Sequence, residues 1–335
     1  MPELPEVQAH AERLTDQFAG RILQRFVPIT FTALKTAVPP PDEAYGKALE
    51  RVGRRGKYLM LQFAPITFVI HLMQGGRLLI DEKQSPKPRG GQARFLFGTR
   101  TGDDDSDPVG DDDSDTVGDD DSDTVGDDDG DDDGTRTGGG HDDTRTDDDD
   151  GDGGRVPALL LTEQGTERRA GVWCVRTVSA LTDPPLSKLG PEAMDLDPAA
   201  LKRQFAEHPM RLHGFLRDQR SIAGLGRMLA NEICHRAKIS PFANTAKLSD
   251  ADVANVHDAI HQAVEDGLAY ERTRSDMSSS KDRPGRVHGR VGESCPACAD
   301  TIRSVTYSSY TVAYCPTCQT GAKVLADNTT SRFLK

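Results

Sequence analysis

Tyr58-Leu-Met-Leu-Gln-Phe63 and Thr67-Phe-Val-Ile-His-Leu72 are two short runs rich in aromatic and branched apolar residues, with Pro65 between them and Gly75-Gly76 just after. Apolar runs of this length bounded by turn residues read as strand, turn, strand. The stretch from Tyr58 to Met73 is not a membrane span, because Gln62, Pro65 and His71 interrupt it. Working outward, similar runs recur at Ile22–Phe26, Arg77–Ile80, Ala93–Phe97, Leu159–Thr162 and Val172–Val178. Several short strands at close spacing predict a β-sandwich or barrel. Ahead of them, Val7 to Phe18 places Val7, Leu14 and Phe18 on one helical face. Pro5 suits the first turn of that helix, and Gly20 suits its stop.

An acidic tract interrupts the strand pattern. Thr99 to Arg155 holds 57 residues, of which 25 are Asp and 4 are Arg, a local charge of −21. The chain as a whole carries −13, so the other 278 of its 335 residues carry +8. The acidic total therefore does not exclude a nucleic-acid partner, which a basic surface attracts. Units of Gly-Asp-Asp-Asp-Ser-Asp-(Pro/Thr)-Val start at Gly102, Gly110 and Gly118, and valines are the tract's only apolar residues. Such units have nothing to stack, which predicts a solvated, disordered loop in place of a hairpin turn. The tract lacks the spacing and closing Glu of a calcium-binding loop.

Beyond Asp183 the composition changes. Asp183 to Pro191 reads as a linker, and helical patterns follow at Pro198–Glu207, His213–Asp218, Arg227–Arg236 and Asp250–Tyr270. Arg272 to Arg286 is polar and reads as a mobile connector. The boundaries expected are residues 1–182 for a β domain with a leading helix, 183–275 for a helical domain, and 276–335 for a connector, a cysteine-rich unit and a tail. The N-terminus lacks the features of a signal peptide, which predicts a cytoplasmic protein with no membrane partner.

In that setting six cysteines suggest metal binding more than disulfides. Cys295-x2-Cys298-x16-Cys315-x2-Cys318 supplies four thiolates at the spacing of a tetrahedral zinc site. Four protein ligands leave no open position, so one zinc ion is expected in a structural role. Cys174 and Cys234 have no such partners and read as idle buried thiols. At the other end, loss of Met1 would expose Pro2 as a secondary amine. An α-amine titrates near 8, so a useful fraction is neutral and nucleophilic at physiological pH. Glu3 stands beside it as a candidate general acid, and Glu6 as a group that positions the site.

These residues carry a resemblance. Met1-Pro-Glu-Leu-Pro-Glu-Val7, Gly53-Arg-Arg-Gly-Lys-Tyr-Leu59, Asp218-Gln-Arg-Ser-Ile-Ala-Gly-Leu-Gly226 and the four-Cys tail together resemble the formamidopyrimidine-DNA glycosylase and endonuclease VIII family. The resemblance implies a multidomain α+β fold: an N-terminal β-sandwich, a helix–two-turn–helix domain and a zinc finger, with DNA between them. It implies that the Pro2 amine attacks C1′ of a damaged nucleotide, that Glu3 handles protons, and that Lys57 contacts a nearby phosphate. The base must leave the stack to be reached. Glu6, His71, Gln74, Arg169 and Arg227 fall at positions expected to face or support the DNA.

Four positions depart from the family pattern. Gln74 stands where one branch has Met, Ala170 replaces an aromatic wedge, Arg227 replaces an Asn, and Tyr310 replaces a phosphate-binding Arg. The expected activity is a monomeric, bifunctional DNA glycosylase and abasic-site lyase of base excision repair, acting on oxidised bases in double-stranded DNA. A non-catalytic binder of damaged or abasic DNA is the alternative.

Overall fold

The computed structural model describes residues 1–100, 156–165, 168–277, 282–307 and 310–326. The acidic units read as a disordered loop lie outside the described residues.

Helix α1 spans Leu4–Phe18. It begins before its apolar pattern does, because Glu3 and Glu6 form a reciprocal capping box and Pro5 occupies the first turn. Gly20, at φ +83°, turns the chain into β1 (Arg21–Pro28). Six strands follow as β2 (Arg51–Arg55), β3 (Tyr58–Phe63), β4 (Ile66–His71), β5 (Gly76–Asp81), β6 (Gly91–Arg100) and β7 (Ala158–Glu163), and then β8 (Gly171–Arg176). They form two four-stranded antiparallel sheets, ordered β1-β6-β7-β5 and β2-β3-β4-β8. Strand β6 pairs with β7, so the acidic tract does join two neighbouring antiparallel strands. Phe26, Phe63, Phe68, Phe95 and Phe97 fill the space between the sheets, and Val7, Leu14 and Phe18 of α1 pack on the same core. Strand β2 escapes the sequence reading because Arg51-Val-Gly-Arg-Arg55 shows no apolar alternation. It is placed by its pairing with β3, from Arg51 opposite Gln62 to Arg55 opposite Tyr58.

The second core is helical. Helices α2 (Pro198–Glu207), α3 (Leu212–Phe215), α4 (Arg227–Arg236) and α5 (Asp250–Arg272) bury Phe205, Phe215, Leu229, Ile233, Val256 and Ile260 together. Asp197 caps α2 and Ser249 caps α5, each through a side-chain oxygen that accepts a backbone N–H. Helix α3 is shorter than expected. Asp218 ends the run by accepting the Arg220 N–H and the Ser221 hydroxyl, which fixes a turn instead of a helix. Gln219 then spans the next turn, accepting the Gly224 N–H and donating to the Leu225 carbonyl. The Asp218–Gly226 motif is therefore two consecutive turns between α3 and α4.

Two segments read as linkers are packed. In the first, Leu186 is buried with Met60, Val69 and Val175 on the outer face of the second sheet. In the second, Met277 enters the sandwich core and Arg283 is buried. Polar composition hid both, because the residues that anchor these segments are single. After the connector, β9 (Arg303–Tyr307) and β10 (Tyr310–Tyr314) form a hairpin, and α6 (Pro316–Thr320) follows. Gln319 fastens this unit to the helical core by donating to the Ile239 carbonyl. The Leu325 N–H bonds to the Tyr314 hydroxyl, so the start of the tail packs on the hairpin.

Candidate active site

The N-termini of α1 and α4 meet. The α4 N-cap is Gly226, which has no side chain to satisfy the free N–H groups of the first turn. Glu3 does so from the sandwich domain. Its Oε1 accepts from Met228 N at 2.9 Å and its Oε2 from Leu229 N at 3.0 Å. A negative carboxylate at a helix N-terminus also complements the helix dipole. The glycines of the motif follow from this approach. A Cβ at Gly226 would overlap the Glu3 carboxylate, and Gly224 combines φ +99° with close contact to Leu4. The Leu4 N–H donates to the Gly224 carbonyl at 2.9 Å.

Glu6 does not face a DNA surface as expected; it is wholly buried. It accepts the Glu3 N–H at 2.8 Å and Arg283 Nη1 at 2.6 Å. Burial pushes its carboxyl up to about 7, against the pull of Arg283. Arg283 lies 3.8 Å from Glu3 as well. A residue of the supposed mobile connector thus holds both glutamates of the N-terminal motif. Polar composition gave no signal of it.

Lys57 sits in the turn between β2 and β3, not on a strand, and is 7% exposed, unlike a solvated surface lysine. Gly56 makes the turn at φ +57°. Glu192 clamps it, accepting Arg54 and Arg55 at 2.7 Å each and the Gly56 N–H at 2.5 Å. Burial pushes the Lys57 ammonium down and the Glu3 carboxylate pulls it back up. The Met1 amine is likewise held below its ordinary value by burial, with Glu3 opposing. Pro2 itself is buried next to it, its nitrogen in the peptide bond to Met1.

Met1, Glu3, Lys57, Gln74 and Arg227 line one cavity of about 400 Å³, joined by Arg217 and His288, which the sequence reading missed. His288 is anchored to α4. Its N–H and those of Arg286 and Val287 all donate to the Glu232 carboxylate, and its ring contacts Asn231 at 2.7 Å. His71 is half-buried and packs on Tyr58, ring centroids 4.4 Å apart. Burial, together with nearby Lys57, holds it at about 4, hence neutral near pH 7. Gln74 is exposed on the β4–β5 turn, and Arg169 is exposed just before β8. Register pairs His71 with Gly171, so both loops leave the same end of the sheet.

The four finger thiols lie within 4.8 Å of one another. Cys298 Sγ is 3.4 Å from Cys315 Sγ and 3.5 Å from Cys318 Sγ, and Cys295 Sγ is 3.8 Å from Cys318 Sγ. A tetrahedron of zinc–sulfur bonds of about 2.3 Å has edges of roughly 3.8 Å, so the donor set fits that ion. His235 of α4 contacts Cys295 Sγ at 3.2 Å, an outer partner for one thiolate. Cys174 and Cys234 are buried and are not members of this cluster.

Family models agree with this arrangement. Those for the formamidopyrimidine-DNA glycosylase N-terminal domain and H2TH domain match residues 1–106 and 189–279. A Mycobacterium tuberculosis protein described as an uncharacterized formamidopyrimidine-DNA glycosylase-like protein is 42% identical over 149 residues, covering 44% of this chain and 94% of that one. The chain belongs to the formamidopyrimidine-DNA glycosylase family. The formamidopyrimidine-DNA glycosylase of Chloroflexus aurantiacus is 27% identical across 95% of this chain and 98% of its own. Among solved structures, a mutant Lactococcus lactis family member in complex with DNA containing Fapy-dG superposes with a TM-score of 0.71. Identity there is 19%, over 95% of this chain and all of that one. The Lactococcus lactis protein bound to DNA with an AP site gives 0.68 at 18% identity, over 95% and 99%.

Within this glycosylase family the departures have structural consequences. Ala170 is buried, its N–H donating to Glu163 at 2.6 Å, so no wedge projects from that position. Met73 precedes Gln74 in the left-handed region at φ +53°, and the polar Gln74 is the member of the pair that lines the cavity. Among the described residues no helix is long and apolar enough to cross a membrane.

Proposed function

We propose that this family member is a bifunctional DNA glycosylase and abasic-site lyase that removes oxidised bases and nicks the strand. The observation that carries the reading is that Glu3 and Lys57 line one cavity together with Met1, whose removal would leave the Pro2 amine as the chain terminus. Glu3 is fixed against the first turn of α4, and Lys57 is presented by the β2–β3 turn that Glu192 clamps. Once Met1 is removed, the Pro2 amine is the nucleophile. The burial that lowers the Met1 amine favours a neutral, reactive amine at the same place. It attacks C1′, the C1′–base bond breaks, and the base leaves with that electron pair and takes a proton. The ring then opens to a Schiff base on Pro2. Loss of a C2′ proton expels the 3′ phosphate and nicks the strand, and in the full reaction the 5′ phosphate follows. Glu3 serves this sequence from an anchored position. Each of its oxygens accepts one α4 N–H and keeps a second lone pair for the ring-opening proton. Lys57 neutralises a phosphate beside the lesion. Cys295, Cys298, Cys315 and Cys318 would hold one zinc ion, which would supply a structural tie with all four positions taken by protein.

The test is borohydride trapping with duplexes that contain an abasic site or 5-hydroxyuracil. The expected result is a covalent protein–DNA adduct with the wild type and none with Pro2→Gly. Binding of damaged duplex without any adduct would favour the non-catalytic damage binder, a reading to which the departures at Ala170 and Tyr310 lend weight.

A further inference from the structure

Tyr310 of the finger hairpin stands where the family pattern places an arginine, and a phenol supplies no positive charge. Its ring instead gathers arginines from the helical unit. The guanidinium carbon of Arg217 lies 4.0 Å from the ring centroid, and that of Arg227 lies 5.9 Å away. His213 stacks on the same ring, centroids 5.9 Å apart and planes 19° apart. Arg217 stands in the turn after α3 and Arg227 opens α4, so the two ends of the two-turn element approach one aromatic ring. Both arginines line the cavity with Glu3 and Lys57. No carboxylate pairs with either among the described residues, while Arg54, Arg55, Arg94, Arg236 and Arg283 all have one.

Two guanidinium groups held at one ring without a paired carboxylate repel each other, and an anion that bridges them relieves that repulsion. A stacked guanidinium keeps its in-plane N–H fork free, the geometry that matches phosphate oxygens. The ring also restricts the side-chain freedom that a surface arginine would lose on binding. His213 backs the platform as a neutral ring, since burial and the two arginines hold it at about 3.

We infer that Tyr310 is a positioning residue that holds Arg217 and Arg227 as a two-arginine clamp on the phosphate backbone of the DNA strand in the cleft. The inference rests on the cleft being the DNA site of the reading above.

The experiment measures binding of a duplex carrying a tetrahydrofuran abasic analogue across a salt series. It uses the full-length wild type, Arg217→Ala, Arg227→Ala, Tyr310→Ala, Tyr310→Phe, and Tyr310→Ala on the Arg217→Ala/Arg227→Ala background. Each arginine variant is expected to flatten the slope of log K against log salt by about 1, the signature of one lost phosphate contact. Tyr310→Ala is expected to bind about 3- to 10-fold more weakly, and Tyr310→Phe close to wild type, because the ring and not the hydroxyl is used. On the double-arginine background Tyr310→Ala should cost almost nothing further, since it acts through those side chains. Bound zinc is measured in each variant, to separate loss of the platform from loss of the finger. An unchanged salt slope in both arginine variants overturns the clamp. So does an equal cost of Tyr310→Ala with and without the arginines. If the wild type itself fails to bind the duplex, the DNA-cleft reading falls as well, a result distinct from either.

Discussion

At the scale of single residues, the site is organised by carboxylates that bind backbone, which explains what the sequence could and could not disclose. Glu3 is legible as a candidate from its place beside Pro2. That it also caps α4 is visible only when Met228 and Leu229 arrive beside it. This double duty makes Gly226 critical. Gly226→Ala would push Glu3 off the helix end and leave two N–H groups unpaired, at about 1–3 kcal/mol of stability. Adduct trapping should fall by at least about 10-fold, since a small misplacement of a reacting group is costly. A Gly226→Ala protein that traps abasic DNA at the wild-type rate would sink this account. Arg283 is a second case. Glu6 keeps its proton more tightly when folded, with a pKa of about 7 against about 4.5 in the unfolded chain. The folded state therefore holds more protons between those values. Its stability falls as pH rises through that window and stays lower above it. Removing the guanidinium in Arg283→Ala takes away what favours ionised Glu6, so at pH 8 Glu6 must stay charged without its partner or take up a proton, whereas at pH 5 it is already protonated. Urea unfolding should show a loss of about 3–5 kcal/mol at pH 8 and a clearly smaller one at pH 5. Equal losses at both pH values would mean that Arg283 acts only by packing.

At the scale of elements, legibility tracked how far an element's own pattern decides its structure. Helix α5 carries Val253, Val256, Ile260 and Val264 at helical spacing behind the Ser249 cap, and it was readable because pattern and cap agree. Strands β3 and β4 were readable for the same reason. Strand β2 was not, because its pairing partner determines it. The linker from Asp183 to Pro191 and the connector at Arg283 were misread, because a single residue in each, Leu186 and Arg283, makes the decisive contact and composition averages it away. The finger lies between these cases. Its cysteine spacing is explicit, but its attachment to α4 through His235 and Gln319 is not. His235→Ala leaves all four thiolates in place and removes the partner of Cys295. It should weaken zinc retention against a competing chelator by about 10-fold or more, the range found for outer-shell partners. Retention equal to wild type would show that the contact only packs α4 against the finger.

At the scale of the whole molecule, the charge of −13 divides into +8 on the family body and −21 on Thr99–Arg155. The strand that leads into the tract ends at Arg100, whose guanidinium bonds to the carbonyls of Asp16 and Gln17. Those residues lie at the end of α1 remote from Glu3, and a helix of 15 residues spans about 22 Å. Arg100 therefore lies at the end of α1 remote from Glu3, and an effect of the tract's charge on DNA would act through its field or by direct occupation of the cleft. Salt separates the two. The Debye length is about 30 Å at 0.01 M and about 8 Å at 0.15 M, so a long-range field acts in the first and is screened in the second. Joining β6 to β7 by a short turn in place of Gly102–Gly153 should leave the fold intact, because their register from Gly91 opposite Thr162 to Phe95 opposite Leu159 lies short of the tract. Loop closure changes only with the logarithm of length, so stability should move by no more than about 2 kcal/mol. If the tract repels DNA through its field, the deletion binds undamaged duplex more tightly at 0.01 M salt and equally at 0.15 M. Tighter binding that persists at 0.15 M would instead mean that the acidic chain occupies the basic cleft. No change at 0.01 M would show that the body's +8 alone sets the encounter with DNA.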